Sequence, residues 1–195
     1  MFIIFYGPEG SGKSTQAKLL AKHLKIPYLG SGDLVRRYAR NDKGIMGEVC
    51  KESLKKGHYV ADSEMFVLWK HRLKEPKLEK GWVMDGFPRN ITQALFLDDK
   101  LDKYEQKVNF VFYLKVREKE SIRRLIKRGR KSPDGSLHDS SEKIRERLRR
   151  YKMEEQDVLG FYKKKGVLKI VDGEKTISQI HKDILKKVEK SCKKD

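Results

Sequence analysis

The string Gly7-Pro8-Glu9-Gly10-Ser11-Gly12-Lys13-Ser14 constrains this chain more than any other feature. It satisfies G-x-x-x-x-G-K-[ST] completely. Before it runs Phe2 to Tyr6, a continuous apolar stretch closed by Gly7, which reads as a buried parallel strand. After it Ala17, Leu20, Ala21 and Leu24 recur at the spacing of one helix face. A strand, a glycine-rich turn and a helix in that order can wrap backbone N–H groups around an anion. Glycine admits the turn without a Cβ clash, and the helix start points its positive dipole end inward. Lys13 would then supply mobile charge to the outer phosphates of a nucleoside triphosphate, and Ser14 a hydroxyl for Mg2+. The blander reading, a glycine-rich turn with a chance lysine, does not account for the strand and helix on either side. The motif names the triphosphate and leaves its fate open, because hydrolases, motors and small-molecule kinases share it.

The remaining chain alternates in the same way. Pro27-Tyr28-Leu29, Trp82-Val83-Met84, Val108 to Leu114 and Leu168 to Val171 read as further short strands, with helical patterns between them. Alternation of this kind predicts an α/β phosphate-loop NTPase fold, with a five-stranded parallel sheet flanked by helices on both faces. Two stretches interrupt it. Residues 31–60 read as helical throughout, punctuated by Gly32, Gly44 and Gly57. Residues 129–139 are polar and turn-rich and read as a mobile loop, with Asp139 and Glu142 as a helix start beyond it. The expected core is therefore 1–30, 61–128 and 140–195, carrying a helical insertion at 31–60 and a short loop at 129–139.

Charge narrows the partners. Lys and Arg number 46 against 28 Asp and Glu, a net +18, which attracts nucleotides, nucleic acid or acidic membranes. Much of the excess lies in runs such as Lys163-Lys164-Lys165 and Lys193-Lys194, on helix ends and the tail. No aromatic-interleaved basic patch accompanies it, which argues against a nucleic-acid partner. The two cysteines, Cys50 and Cys192, form no C-x-x-C pair, so neither a disulfide framework nor a zinc site is expected, and Cys50 reads as a small buried apolar residue. With no signal peptide and no apolar run long enough for a membrane, the chain reads as soluble and cytoplasmic.

The acceptor is addressed by Trp82-Val83-Met84-Asp85-Gly86-Phe87-Pro88-Arg89, with Gln93 beyond. An acidic residue ends a buried strand, as a ligand of Mg2+-bound water does in phosphate-loop enzymes. Pro88 stiffens the turn presenting Arg89, whose planar fork suits a phosphate. Gln93 lies four residues on, so the spacing places it on one helix face with Arg89, and its amide both donates and accepts, as reading a base edge requires. Alone, the stretch could equally be a capped strand followed by two surface residues.

With these pieces in order, the chain resembles the adenylate kinases, within the nucleoside monophosphate kinases. The resemblance rests on Gly7 to Thr15, Ser31-Gly32-Asp33-Leu34-Val35-Arg36, Lys56-Gly57-His58-Tyr59-Val60, Asp85 to Arg89 with Gln93, Arg124-Leu125 with Lys127-Arg128-Gly129, and Arg145-Glu146-Arg147-Leu148, and covers nearly the whole chain. It implies an ATP site of Gly10, Ser11, Gly12, Lys13, Ser14, Thr15, Arg124, Arg128 and Lys175, Arg124 stacking on the base. It implies an AMP site of Ser31, Arg36, His58, Tyr59, Val60, Gly86, Arg89, Gln93 and Arg147, with Arg36 and Arg89 on the phosphate. Lys13, Arg89, Arg128 and Arg147 are the implied catalytic residues. Ser14 is the implied Mg2+ ligand, with Asp33 and Asp85 acting through water. By the same resemblance 31–60 is the monophosphate-binding insertion, 129–139 a short lid without zinc, and the protein a monomer acting on ATP and AMP.

Two departures stand out. Short-lidded relatives carry a lid arginine where Ser136 aligns here, followed by two aspartates where this chain has His138-Asp139. Either Arg130 or Lys131 replaces that charge, or one phosphate contact is missing. Ser14 replaces the family's usual glycine and restores the general phosphate-loop pattern. Three other readings compete. One is a UMP/CMP kinase, a branch that shares Asn90 after the arginine. Another is a nucleotide-gated nucleic-acid-binding ATPase, motivated by the charge. The last is a binding module whose altered lid no longer supports transfer. The kinase reading requires Lys13, Arg36, Arg89, Arg128 and Arg147 to converge on one cleft.

Overall fold

The computed structural model of the protein describes residues 1–130, 135 and 139–192. Its strands are β1 (Phe2–Tyr6), β2 (Tyr28–Gly30), β3 (Trp82–Asp85), β4 (Phe110–Lys115) and β5 (Leu168–Asp172). Its helices are α1 (Lys13–Leu24), α2 (Ser31–Asn41), α3 (Ile45–Lys56), α4 (Asp62–Leu73), α5 (Ile91–Asp102), α6 (Glu118–Arg128), α7 (Ser141–Lys164) and α8 (Ile177–Cys192). All strand pairings are parallel, in the order β2-β3-β1-β4-β5. The expected sheet is present, with its edges displaced: the strand read from Val108 begins at Phe110, and the one read at 27–29 spans Tyr28–Gly30.

Every residue of β1 is buried, and the strand's alternation divides the core in two. Ile4 and Tyr6, with Met84, Val111 and Tyr113, pack against Leu68 and Trp69 of α4, Ala94 and Leu97 of α5, and Val158 and Tyr162 of α7. Ile3 and Phe5, with Val83, Phe112 and Leu114, pack against Ala17, Leu20 and Ala21 of α1 and Ile180, Ile184 and Val188 of α8. This two-faced burial is why the strands read as unbroken apolar runs. Among the described residues no helix is long and apolar enough to cross a membrane.

The 31–60 stretch is two helices rather than continuous helix. Asp42 ends the first, and its Oδ1 accepts from the N–H groups of Gly44 and Gly47 at 2.8 and 3.2 Å, so a side chain turns the chain into α3. Leu34, Val35 and the free, fully buried Cys50 tie this pair to the first core.

The start of α7 differs from the sequence expectation. Ser140, not Asp139, caps the helix, its Oγ accepting from Lys143 N–H. Asp139 is instead turned inward, its carboxylate accepting from two arginine side chains and from the Arg130 N–H. Ile122 and Leu125 of α6 pack with Ile144 and Leu148 of α7 in a separate small cluster, which fixes the two helices carrying Arg124, Arg128 and Arg147.

Parallel pairing brings the C-terminal ends of all five strands to one edge. The chain leaves β1 for β2 and β3 on one side, then crosses to β4 on the other, so loops diverge above β1. A ligand cleft is expected at such a switch point.

Candidate active site

A cleft of about 640 Å3 opens at that edge, within the range of small-molecule sites. Its floor is the phosphate loop. Gly10 has φ +82°, and a Cβ there would stand 2.7 Å from the carbonyl oxygen of Ser121, so only glycine lets the loop pass α6. Gly12 precedes α1 without any side-chain cap, leaving the first-turn N–H groups to a ligand. Lys13 Nζ donates to the carbonyls of Gly7 and Pro8, both at 2.7 Å. Burial lowers the pKa of this ammonium; Asp85 and Glu9 oppose that, while Arg89 and Arg128 add to it. Gly10, Gly12, Ser14 and Thr15 line the cleft, and Ser11 is fully buried, its hydroxyl without a partner among the described residues.

Behind Lys13, the carboxylate of Asp85 meets two hydroxyls. Ser14 Oγ donates to Asp85 Oδ2 at 2.5 Å, and the Tyr28 hydroxyl donates to the same oxygen at 3.3 Å. Burial pushes the Tyr28 phenol upward, and the charges of Asp85 and Asp33 push it further. The other oxygen of Asp85 is buried and has no partner among the described residues. An orphaned carboxylate oxygen beside a phosphate-loop hydroxyl fits a hydrated Mg2+, whose preference is for oxygen ligands and retained water. Asp33 lines the same cleft and pairs with Arg36 at 2.6 Å. Among the described residues no group of three or more His, Cys, Asp and Glu could by itself hold a metal ion.

Arg89 does not lie on the helix with Gln93, contrary to the spacing argument, because Asn90 caps α5 and the helix begins at Ile91. The two are joined differently. Gln93 Oε1 reaches back to accept from Arg89 N–H at 2.8 Å, while Gln93 Nε2 donates to Asp62 at 2.6 Å. One amide N–H of Gln93 remains for a ligand. Asn90 donates to the same Asp62 at 2.8 Å. The Arg89 guanidinium donates to Gly86 O at 2.9 Å and lies over the Tyr59 ring, 3.6 Å from its centroid. Stacking and the hydrogen bond hold the fork toward the cleft. Ser31, Val60 and Gly86 line this side; His58 is exposed in a neighbouring groove against α7.

Across the cleft stand the arginines of α6 and α7. Asp139, with no side-chain exposure, accepts from Arg128 Nε and Nη2 at 2.8 and 2.9 Å and from Arg147 Nη2 at 2.9 Å. Burial would raise its pKa, but the hydrogen bonds from Arg128 and Arg147 draw it down to about 2. Arg130 lines the cleft beside Arg128 and Arg36 and adds positive charge to the same space. Lys131, Ser136 and His138 lie outside the described residues. Arg124 lines the cleft and donates to Glu120 at 2.6 Å and to the carbonyl of Gly173 at 2.9 Å. Lys175 is turned away, with its ammonium on Asp183 at 2.8 Å.

Thus Lys13, Arg36, Arg89 and Arg128 line one cavity, and Arg147 is coupled to it through Asp139 and Glu9. Residues that sequence reasoning passed over are Glu9, Tyr28, Asp62 and the inward-facing carboxylate of Asp139. Only Asp139 carried a signal, as the acidic residue after the polar loop.

A phosphate loop facing an arginine wall across a single cleft, with an acidic strand end between, marks a phosphate-loop kinase of nucleoside monophosphates. Comparison with known proteins agrees and narrows the class. The sequence model described as adenylate kinase matches residues 5–167. An adenylate kinase of Archaeoglobus fulgidus is 34% identical, the match covering 94% of this chain and 96% of the relative. An adenylate kinase 1 of Synechocystis is 36% identical over 95% and 96%, and an adenylate kinase of Leptospira biflexa 32% identical over 95% and 98%. The chain belongs to the adenylate kinase family.

Proposed function

We infer that the protein reversibly transfers the γ-phosphoryl group of ATP to AMP, giving two ADP, with Mg2+ bound alongside the nucleotide. The observation that carries this is the convergence of Lys13 with Arg36, Arg89 and Arg128 on one cleft, which supplies fixed charge for two phosphate chains end to end. On this reading the backbone of Gly10 to Thr15 and Lys13 hold the triphosphate, and Arg124 flanks its base. Arg36 and Arg89 hold the AMP phosphate. Ser31, Val60, Gly86 and the spare N–H of Gln93 face the adenine, with His58 and Tyr59 at the end of the insertion. Arg128 and Arg147 neutralise charge on the transferring group. Lys175 contributes through its backbone, since its side chain is occupied. Arg130 supplies lid charge where the family arginine is absent.

An oxygen of the AMP phosphate forms the new bond to the γ-phosphorus as the bond to the β-bridging oxygen breaks. No general base is needed, because the attacking oxygen is already ionised. The chain's work is alignment, charge neutralisation and exclusion of water by the 31–60 insertion and the 129–139 lid. Ser14, with Asp85 and Asp33 through water, would hold the Mg2+, which draws charge from the phosphate oxygens when bound. The protein is taken to act as a cytoplasmic monomer.

The pyrimidine-kinase alternative loses its motive. Asn90 accepts from Gln93 N–H and donates to Asp62, so local structure already explains it. Arg89→Ala tests the assignment. We expect ADP formation from AMP to fall roughly 10³-fold or more, with ATP affinity unchanged in calorimetry. A rate within fivefold of wild type would overturn it.

A further inference from the structure

A phosphate loop exists to receive anions, yet this one carries an anion of its own. Glu9 projects from the loop into the cleft. Its Oε1 accepts from the Tyr59 hydroxyl at 2.5 Å, and its Oε2 stands 3.3 Å from Arg147 Nε. Burial raises the pKa of this carboxylate, but Arg147, the Tyr59 hydroxyl, Arg89 and Lys13 together hold it below the usual carboxylate range. Three of those four partners are the cations assigned above to the two phosphate chains. The fourth, Tyr59, belongs to the insertion and carries the stacked Arg89 guanidinium. Glu9 thus lies at the electrostatic focus of the transfer site and joins its three parts: loop, insertion and α7.

We propose that Glu9 is a built-in competitor for nucleotide phosphate: its carboxylate occupies Arg147 and Tyr59 while the phosphate loop is empty, and must yield them when a triphosphate enters. The inference rests on the transfer reading and adds a residue that the phosphate-loop pattern leaves unspecified. Two anions sharing one set of cations repel, and in a partly enclosed site a unit charge a few Å away is felt strongly. The enzyme therefore binds ATP less tightly than its positive charge alone would allow. Tyr59 strengthens the competitor, because its hydroxyl stabilises the carboxylate in the occupying position.

The sign of the effect separates this role from a structural one. Damage to the loop weakens ligand binding, whereas removal of a competitor strengthens it. Mg2+-ATP and, separately, inorganic tripolyphosphate are titrated calorimetrically into the full-length protein without AMP. Tripolyphosphate reports the phosphate contacts without the base. Glu9→Gln, which keeps the side chain's size, should bind both ligands about tenfold more tightly. Its KM for ATP should fall without a rise in kcat. Tyr59→Phe should tighten both by about two- to threefold, and adding it to Glu9→Gln should bring no further gain. Unchanged or weaker binding by Glu9→Gln would overturn the proposal; weaker binding would mean that the carboxylate helps to hold the ligand. Should Glu9→Gln fail to fold, Tyr59→Phe decides alone, and unchanged or weaker binding by it overturns the proposal. Wild-type protein that makes ADP from ATP and AMP while Glu9→Gln gains no affinity refutes this inference only. Wild-type protein that binds no ATP refutes the transfer reading as well.

Discussion

Replacing Asp139 by Asn removes the negative charge between Arg128 and Arg147 while leaving the side chain's shape. Three charge-assisted hydrogen bonds of 2.8–2.9 Å lose their ionic component, and the largely buried Arg147 loses a buried carboxylate partner. Two magnitudes bound the cost. The carboxyl is drawn from 3.8 to about 2, against the push of burial, by the hydrogen bonds from the two arginines. At 1.36 kcal/mol per unit that is about 2 kcal/mol, reduced by whatever water around the partly exposed Arg128 screens. Breaking a buried pair by removing one partner costs about 3–5 kcal/mol. A loss of roughly 2–4 kcal/mol at pH 7 follows, or roughly 5–15 °C in Tm for a chain of this size. The pH dependence supplies a second signature. Because the folded pKa is depressed, the stabilisation is fully present above the unfolded value near 3.8 and disappears as pH falls toward 2. Scanning calorimetry should therefore show a wide gap between wild type and Asp139→Asn at pH 7 that narrows below pH 4. A variant melting within 2 °C of wild type at pH 7, or a gap that stays constant down to pH 3, would refute the reasoning.

Ser14→Ala takes away the hydroxyl that meets Asp85; the Mg2+ concentration giving half-maximal ADP formation should rise roughly 10–100-fold, and an unchanged Mg2+ titration would contradict that placement. Leu68→Ala opens the fully buried contact of α4 with the sheet and should cost about 2–5 kcal/mol in urea unfolding, with kcat at 25 °C kept within twofold. A stable but inactive variant would contradict the division between core and cleft.

The sequence and the structure agree most closely where chemistry is local. The phosphate loop and the Asp85-to-Arg89 turn are contiguous strings whose spacing implies their geometry, and β1 and β4 are long enough apolar runs to be read as strands. Less was legible where a contact joins distant segments. Glu9 fills an unspecified position of the loop pattern, and its partners Tyr59 and Arg147 lie far along the chain on separate elements. No periodicity links them. Helical spacing places Gln93 with Arg89, but Asn90 caps the helix after Arg89, so the pair meets through a side chain folding back onto the backbone. Asp139 looked like a helix cap because acidic residues commonly are. Two guanidiniums, the buried one of Arg147 and the partly exposed one of Arg128, offer its carboxylate charge-assisted hydrogen bonds, and Ser140 takes the cap instead.

The account depends most on the cleft being built for two phosphate chains and for adenine on the acceptor side. A coupled assay of ADP formation from Mg2+-ATP, with AMP, CMP, UMP and GMP offered in turn, addresses that directly. AMP should be phosphorylated at least 100-fold more efficiently than the others in kcat/KM, roughly the discrimination that well-placed hydrogen bonds to a base provide. Equal or better use of CMP or UMP, or ATP hydrolysis that proceeds equally fast with no monophosphate present, would contradict it.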